Sequence, residues 1–213
     1  PIAYYDFERK STATIDRSFN DNTASVSGNI SLVDGGAPDG YTPGAAAKMD
    51  GGHFRVPGID MNSQIRDSGT GSYTMTAWIK PDSLDGERFI FGQTNQGIHN
   101  GIRNGGFLHQ AHWGADTNGA TNLNDYDASA NDGWVHAAWV YDGPNDIGKM
   151  YLDGVEDYSG DKRAPNGSGN LIVGGSNGGG DNFRGLVDEV AVWNIAAPAG
   201  YIAKRAAGQR PLD

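Results

Sequence analysis

Apolar and polar residues alternate along most of the chain, which predicts β-strands rather than helices. Residues 2–8 place Ala3, Tyr5 and Phe7 on one face, and residues 72–81 repeat the pattern more regularly. Because successive side chains of a strand point to opposite faces, each run predicts a strand with one buried face. We expect the strand at 72–81 to lie at the centre of its sheet. The other predicted strands are residues 29–34, 46–56 with a break at Gly51-Gly52, 87–93, 98–103, 107–113, 133–142, 149–156 with a hairpin turn at Asp153-Gly154, 171–174 and 185–194.

Turn residues separate these runs. The 33 glycines and nine prolines lie between apolar segments, and Asn104-Gly105-Gly106 splits residues 98–113 into a hairpin. Only residues 198–208 show helical spacing. About a dozen short strands with one short C-terminal helix predict an all-β fold, a two-sheet antiparallel β-sandwich. We expect residues 1–213 to form a single domain, because sandwiches of this size are common.

Charge and composition narrow the possible partners. The formal net charge is −10, and the 16 basic residues form no stripe, which argues against nucleic acid or an anionic membrane as partner. No apolar run is long enough to span a bilayer, so membrane insertion is not expected. The chain has no cysteine and therefore no disulfide, so we expect calcium to stabilise its loops. It opens directly on a strand without a signal peptide, which indicates a domain of a larger protein.

The predicted hairpin carries an unusual set of polar and aromatic residues, which indicates a ligand surface. We expect Trp113 to stack on the apolar face of a sugar ring. In the alternative interpretation, Trp113 and His109 fill the core. The side chains expected to hydrogen-bond the sugar hydroxyls are His99, Arg103, His112, Asp116 and Asn118.

Two further features of this region bear on metals and on the rim of the site. His109 and His112 face opposite sides of a strand, so they do not form a metal clamp and we do not expect zinc here, although a pairing of His99 with one of them across the hairpin stays open. Residues 116–132 are polar and without periodicity, which predicts a long loop. Within it, Asp125 and Tyr126 are candidates to line a groove or to help bind a second calcium ion; a solvated loop is the alternative.

Several segments, taken in order, carry a family resemblance. YYDFE, PGAAAKMDGGHFRV, YTMTAWIKP, GWVHAAWVYDG, KMYLDGVE, NLIVGG and FRGLVDEVAVWN resemble the LamG-like jelly-roll domains of the concanavalin A-like lectin/glucanase superfamily. The resemblance implies two curved sheets, a concave side that often carries the ligand, and use as an accessory module. It also implies a structural calcium ion held by Glu8, by Asp50 or the carbonyls of Gly51 and Gly52, and by Asp188. Without a metal, each of these acids would be a solvated surface or turn residue.

Enzymes of this superfamily carry motifs that the chain matches poorly. The glucanase arrangement E-x-D-x-x-E is missing from the sequence, and Asp188 and Glu189 are expected on opposite faces of one strand. Gln110-Ala111-His112 resembles the Gln-x-His strand of related polysaccharide lyases, but the Arg-rich strand and the Tyr-bearing terminal strand of those lyases are not found. We therefore expect no catalytic residues.

Together these patterns predict a non-catalytic module that binds a glycan or polysaccharide, or acts in adhesion. We expect a calcium-stabilised, monomeric domain of a bacterial protein, extracellular or on the cell surface. A structural or protein-interaction spacer is the alternative, and a lyase or glucanase is the second alternative.

Overall fold

Two antiparallel sheets packed face to face form the molecule, which confirms the predicted β-sandwich. The structure is a computed structural model and describes residues 1–9, 13–37, 44–67, 69–95, 97–177 and 179–212. The described strands are β1 (Ala3–Tyr5), β2 (Ser25–Ser27), β3 (Ile30–Asp34), β4 (Ala45–Asp50), β5 (His53–Asp60), β6 (Tyr73–Pro81), β7 (Arg88–Asn95), β8 (His99–Arg103), β9 (Phe107–Ala111), β10 (Asp116–Asn122), β11 (Val135–Asp142), β12 (Ile147–Leu152), β13 (Val155–Asp161), β14 (Ser168–Val173) and β15 (Arg184–Trp193), and the C-terminal helix is α1 (Ala199–Ala206).

The eight-stranded back sheet has the order β13-β12-β11-β6-β15-β4-β3, with β1 paired to β15. The seven-stranded front sheet has the order β10-β9-β8-β7-β14-β5-β2. Strand β6 lies between β11 and β15, so the prediction that it is central is confirmed. The break at Gly51-Gly52 is larger than predicted, because β4 belongs to the back sheet and β5 to the front sheet.

The core lies between the two sheets and is built from the inward face of each strand. Ala3, Tyr5 and Phe7 face it, as their alternation predicts. Trp139 of the back sheet meets Phe91 of the front sheet edge to face, with ring centroids 5.7 Å apart. The outer face of the back sheet is covered in part by helix α1, whose apolar residues pack on β11 and β12.

Strand β10 corrects the prediction that residues 116–132 form a loop throughout. Asp116 pairs with Ala111 and Asn118 with His109, which extends the hairpin by a third strand. The sequence shows no alternation here because β10 is at the edge of the front sheet and is buried on neither face. Its NH at Thr121 donates to Oδ1 of Asp157 in β13 at 3.0 Å, so the edges of the two sheets are joined.

A β-bulge in β15 corrects the prediction that Asp188 and Glu189 face opposite ways. Glu189 has φ 50, and the register with β6 shifts between Asp188 and Ala191. Val187 and Val190 both face the core. The two acids between them both lie on the outer face and are fully buried there.

Candidate functional site

The hairpin β8–β9 sets the geometry of the site. Asn104, Gly105 and Gly106 have φ values of 55, 77 and 123, as the predicted tight turn requires. Gly101 pairs with His109 in the resulting register. Ile98 and Ile102 face the core, so His99 and Arg103, which alternate with them, lie on the outer face of the front sheet.

Arg103 is held between two carboxylates on this face. Its Nε lies 2.5 Å from Oε1 of Glu87, and its Nη1 lies 2.6 Å from Oδ2 of Asp116. Nη1 is also 3.4 Å from Nε2 of His109. One guanidinium therefore links Glu87, just before β7, to strand β10 across the hairpin.

His99 and His109 are oriented by hydrogen bonds from their Nδ1 atoms. Nδ1 of His99 lies 3.1 Å from the carbonyl oxygen of Gly97, and Nδ1 of His109 lies 2.7 Å from Oδ1 of Asn118. Because both partners are acceptors, Nδ1 carries the proton and Nε2 keeps its lone pair. Burial lowers the pKa of His99 and lowers the pKa of His109 to about 4, so both rings are neutral at pH 7.

Both Nε2 atoms face Asp116. Nε2 of His99 lies 3.7 Å from Oδ1, and Nε2 of His109 lies 3.9 Å from Oδ2. The three ligand atoms lie within 4.8 Å of one another, and in the described part of the chain no other set of three or more such groups converges in this way. We name His99, Arg103, His109 and Asp116 the front-sheet cluster. The sequence left a pairing of His99 across the hairpin open, and in the structure the ring of His109 lies beside that of His99, with centroids 5.7 Å apart.

Trp113 lies next to the cluster and is 55% exposed, so the alternative that it fills the core is wrong. Its ring centroid is 6.3 Å from that of His99. The backbone fixes its position, because its NH donates to the carbonyl of Gly97 at 2.8 Å and its carbonyl accepts from Nδ2 of Asn166 at 3.2 Å. Trp113 thus presents an anchored aromatic surface beside polar groups.

His112 corrects the predicted set of ligand-binding residues. It is fully buried and faces the core, where Nε2 lies 2.9 Å from the hydroxyl of Tyr73 and Nδ1 lies 2.5 Å from the carbonyl of Arg163. Gln110 is also buried and donates to the same hydroxyl at 2.9 Å. The parity of β9 points both side chains inward, so neither half of the Gln-x-His motif faces solvent.

Lys162 fixes the strand that carries Asp116. Its Nζ donates to the carbonyls of Gln110 and Ala115 at 2.5 Å each, and to Oγ1 of Thr117 at 2.8 Å. Burial lowers the pKa of this amine to about 8. Strands β9 and β10 are therefore held together by side-chain as well as ladder hydrogen bonds.

Asp125 and Tyr126 lie away from the front-sheet cluster. Asp125 is exposed, and the hydroxyl of Tyr126 donates to Oδ2 of Asp153 at 2.7 Å. Tyr126 lines a separate cleft of about 340 Å³ together with Leu84 and Leu123, and none of the four cluster residues lines it. Tyr126 therefore lines a groove, but this groove does not include the front-sheet cluster.

Of the predicted calcium ligands, the side chains of Asp188 and Glu8 are buried. Asp188 accepts hydrogen bonds from the NH groups of Ala37 and Glu189, both at 2.8 Å. Burial raises its pKa well above the ordinary value, and the charges of Glu189 and Glu8 raise it further. Oε2 of Glu8 is buried without a hydrogen-bond partner, while Oε1 accepts from Arg210 at 2.9 Å. A buried carboxylate oxygen without a donor fits a cation at this position.

Asp50 does not join this pair. It is opposite Arg184 in the ladder, and its side chain is 69% exposed. Since Arg184 and Asp188 are four residues apart in β15, their separation along the strand is about 13 Å. Of the two backbone candidates, the carbonyls of Gly51 and Gly52, that of Gly51 accepts from Nδ2 of Asn182 at 2.6 Å.

The sequence did not single out Glu87 or include His109 among the ligand-binding residues. Glu87 has no motif of its own, and it reaches Arg103 only because β7 pairs with β8. The one available signal was that consecutive short strands often pair, which places the start of one beside the end of the next.

None of the helices in the described ranges has the length and apolar character needed to cross a bilayer.

The fold is a two-sheet β-sandwich, and the comparison with family models identifies the family. The chain belongs to the concanavalin A-like lectin/glucanases superfamily, since the Laminin_G_3 family model matches residues 52–203. The resemblance seen in the sequence is thereby confirmed. No curated protein matches the chain.

Solved structures share the fold at low sequence identity. Domain 4 of AbnA, a GH43 extracellular arabinanase from Geobacillus stearothermophilus solved with arabinotriose, has 22% identity and a TM-score of 0.68 over 96% of this chain and 97% of that one. The binding domain of Paraclostridial Mosquitocidal Protein 1 has 14% identity and a TM-score of 0.69 over 96% of this chain and 51% of that one. The binding domain of botulinum neurotoxin DC, solved with rat synaptotagmin II, has 14% identity and a TM-score of 0.66 over 97% of this chain and 51% of that one.

Proposed function

We propose that the protein is a non-catalytic carbohydrate-binding module whose ligand lies on the outer face of the front sheet, over Trp113. The observation that carries the proposal is the anchored, 55% exposed indole beside Arg103 and Asp116, which are 30% and 37% exposed. An aromatic ring offers its face to the C–H groups of a sugar, and planar charged groups at its edge bond the hydroxyls. His99 and Asn118 support this surface from below, and His112 takes no part.

The fold neighbours support a binding role in a secreted setting. One is a domain of an extracellular arabinanase in complex with arabinotriose, and another is a toxin binding domain. We infer by the same reasoning that this module acts outside the cell. Binding without catalysis is favoured because Asp188 and Glu189, the adjacent acids of β15, lie buried on the opposite sheet.

The test is glycan binding by the parent and by matched variants. Trp113→Ala should abolish or strongly weaken binding on a glycan array and to arabinotriose, because the stacking surface is lost. Arg103→Gln should weaken binding without changing the melting temperature greatly. Phe19→Ala is the matched control, since Phe19 is also aromatic and 88% exposed but lies outside the site. Equal binding by the parent and the Trp113→Ala protein would refute the proposal.

A protein ligand on the same face is the second candidate. It is favoured by the toxin binding domain solved with synaptotagmin II, which shares this fold. If no glycan binds and Trp113→Ala instead abolishes capture of a protein partner, the module has an interaction role.

We further propose that a structural calcium ion binds at Glu8 and Asp188, without Asp50. The orphaned Oε2 of Glu8 and the effect of Glu8 on the pKa of Asp188 support the position. The ion would neutralise two buried carboxylates and hold the segment after β1 against β15.

A further inference from the structure

We propose that His99 Nε2, His109 Nε2 and an oxygen of Asp116 form a three-ligand site for a divalent transition metal, with zinc as the best match. The site is separate from the calcium position, and it does not depend on whether a glycan binds.

The first support is convergence. The three residues come from β8, β9 and β10, which are consecutive strands of one sheet, and all lie on its outer face. Zinc bonds of about 2.0–2.2 Å place tetrahedral ligand atoms about 3.3–3.6 Å apart. Nε2 of His99 lies 3.7 Å from Oδ1 of Asp116, Nε2 of His109 lies 3.9 Å from Oδ2, and the three ligand atoms lie within 4.8 Å of one another. Binding a metal would therefore draw the two rings and the 37% exposed Asp116 carboxylate slightly closer together.

The second support is the orientation of the rings. Metal-binding histidines usually donate their other nitrogen to a carbonyl or carboxylate, which fixes the tautomer and aims the lone pair. Nδ1 of His99 bonds the Gly97 carbonyl, and Nδ1 of His109 bonds the Asn118 carboxamide oxygen. Both rings are therefore already set to bind through Nε2, and imidazole nitrogen favours zinc over calcium.

The third support is charge. The charged side chains Arg103, Glu87 and Asp116 together carry one net negative charge. Arg103 already places a positive group at Asp116 Oδ2 and near His109 Nε2, at 2.6 and 3.4 Å. The position of this guanidinium shows that the surroundings of Asp116 favour a positive charge. Because the Arg103 side chain is 30% exposed, it can move toward Glu87 when a metal ion binds.

The site also has an open side. Three protein ligands leave a fourth tetrahedral position for water or an oxygen of a bound molecule. Asp116 is 37% exposed and Trp113 is 55% exposed, so the fourth position is accessible from solvent.

The experiment measures zinc binding to the 213-residue chain, using Zn²⁺ alone after removal of metals with 1,10-phenanthroline, which binds transition metals and not calcium. We expect one zinc per chain. His99→Gln and His109→Gln should each weaken binding by about 10- to 100-fold or more, by comparison with the loss of a supporting residue at known sites. His53→Gln is the control, because His53 lies on β5 outside the cluster, and it should bind as the parent does.

Arg103→Gln gives a second, opposite result. It should tighten zinc binding because it removes the competing cation, whereas it weakens glycan binding under the proposed function. Cobalt bound to the parent should show the intense visible absorption of a tetrahedral site, which does not depend on how the variants fold. Absence of zinc binding by the parent, or parent-like binding by both histidine variants, would overturn the proposal. Since no glycan is used, a negative glycan array leaves this result unaffected.

Discussion

At the scale of single residues, Tyr73 is a point between the two sheets where three polar side chains meet one hydroxyl. Its hydroxyl lies 2.9 Å from Nε2 of His112 and accepts from Asn100 Nδ2 at 3.2 Å and Gln110 Nε2 at 2.9 Å. All four side chains are buried. The hydroxyl thus satisfies polar groups of β8 and β9 that would otherwise be desolvated without partners.

We predict that Tyr73→Phe lowers the free energy of unfolding by about 2–4 kcal/mol, because it leaves buried polar groups unpaired. The corresponding shift of the melting temperature is roughly 2–4 °C per kcal/mol for a domain of this size. Denaturant unfolding measures the loss.

Tyr151→Phe is the matched control for this variant. The Tyr151 hydroxyl makes a longer contact of 3.4 Å to Glu156, whose side chain is 46% exposed, so its loss should cost less than about 1 kcal/mol. Equal losses in the two variants would contradict the role given to Tyr73.

Residue parity explains which site residues the sequence could identify. His99 and Arg103 alternate with Ile98 and Ile102, so their outward direction follows from the pattern alone. His112 has the inward parity of Leu108 and Gln110, and that same pattern, applied strictly, would have excluded it from the ligand-binding set. The convergence of His99, His109 and Asp116 needs the register of three strands, which the sequence does not contain.

At the scale of elements, two tight turns show how the same local conformation serves different surroundings. Gly105 in the β8–β9 turn and Gly154 in the β12–β13 turn have φ values of 77 and 81. A Cβ at Gly105 would meet nothing within 4 Å, whereas a Cβ at Gly154 would lie 2.9 Å from Cα of Ala203 in α1. Only the second turn is in contact with the helix.

We predict that Gly105→Ala costs about 1–2 kcal/mol, because alanine is strained in the left-handed region. Gly154→Ala should cost more, since the helix must also move. Urea unfolding of the two variants compares them directly, and the two glycines serve as controls for each other. Equal stability losses would show that the contact with α1 is not restrictive.

Regular elements were predictable, and irregular ones were not. Asn104-Gly105-Gly106 and Asp153-Gly154 are strong turn signals, and both hairpins are confirmed. The bulge at Glu189 has no such signal, because it puts a non-glycine residue at positive φ within an apolar strand. The sequence did not predict strand β10, because an edge strand need not bury either face and so need not alternate apolar and polar residues. Its hydrogen bonds to β9 make it a strand.

At the scale of the whole molecule, the proposed calcium ion connects the segment after β1 to strand β15. We predict that EDTA lowers the melting temperature by several degrees and that added Ca²⁺ restores it. A ligand at a hundredfold excess over its Kd stabilises the native state by about 2.7 kcal/mol. Differential scanning calorimetry measures the shift.

Matched variants separate this effect from zinc. Asp188→Asn should remove the response to Ca²⁺, while Asp50→Asn and His109→Gln should keep it. An unchanged melting temperature in EDTA would remove the calcium proposal and leave the zinc proposal to its own test.

The bond from Thr121 to Asp157 has a consequence for how copies of this module behave when crowded. A free edge strand offers its unpaired NH and carbonyl groups to the edge of another molecule, which starts aggregation. Here an acidic side chain of the neighbouring sheet binds one of those NH groups, and the chain carries a net charge of −10. Many copies displayed side by side would therefore repel one another instead of adding strand to strand, and each would keep its own front face free.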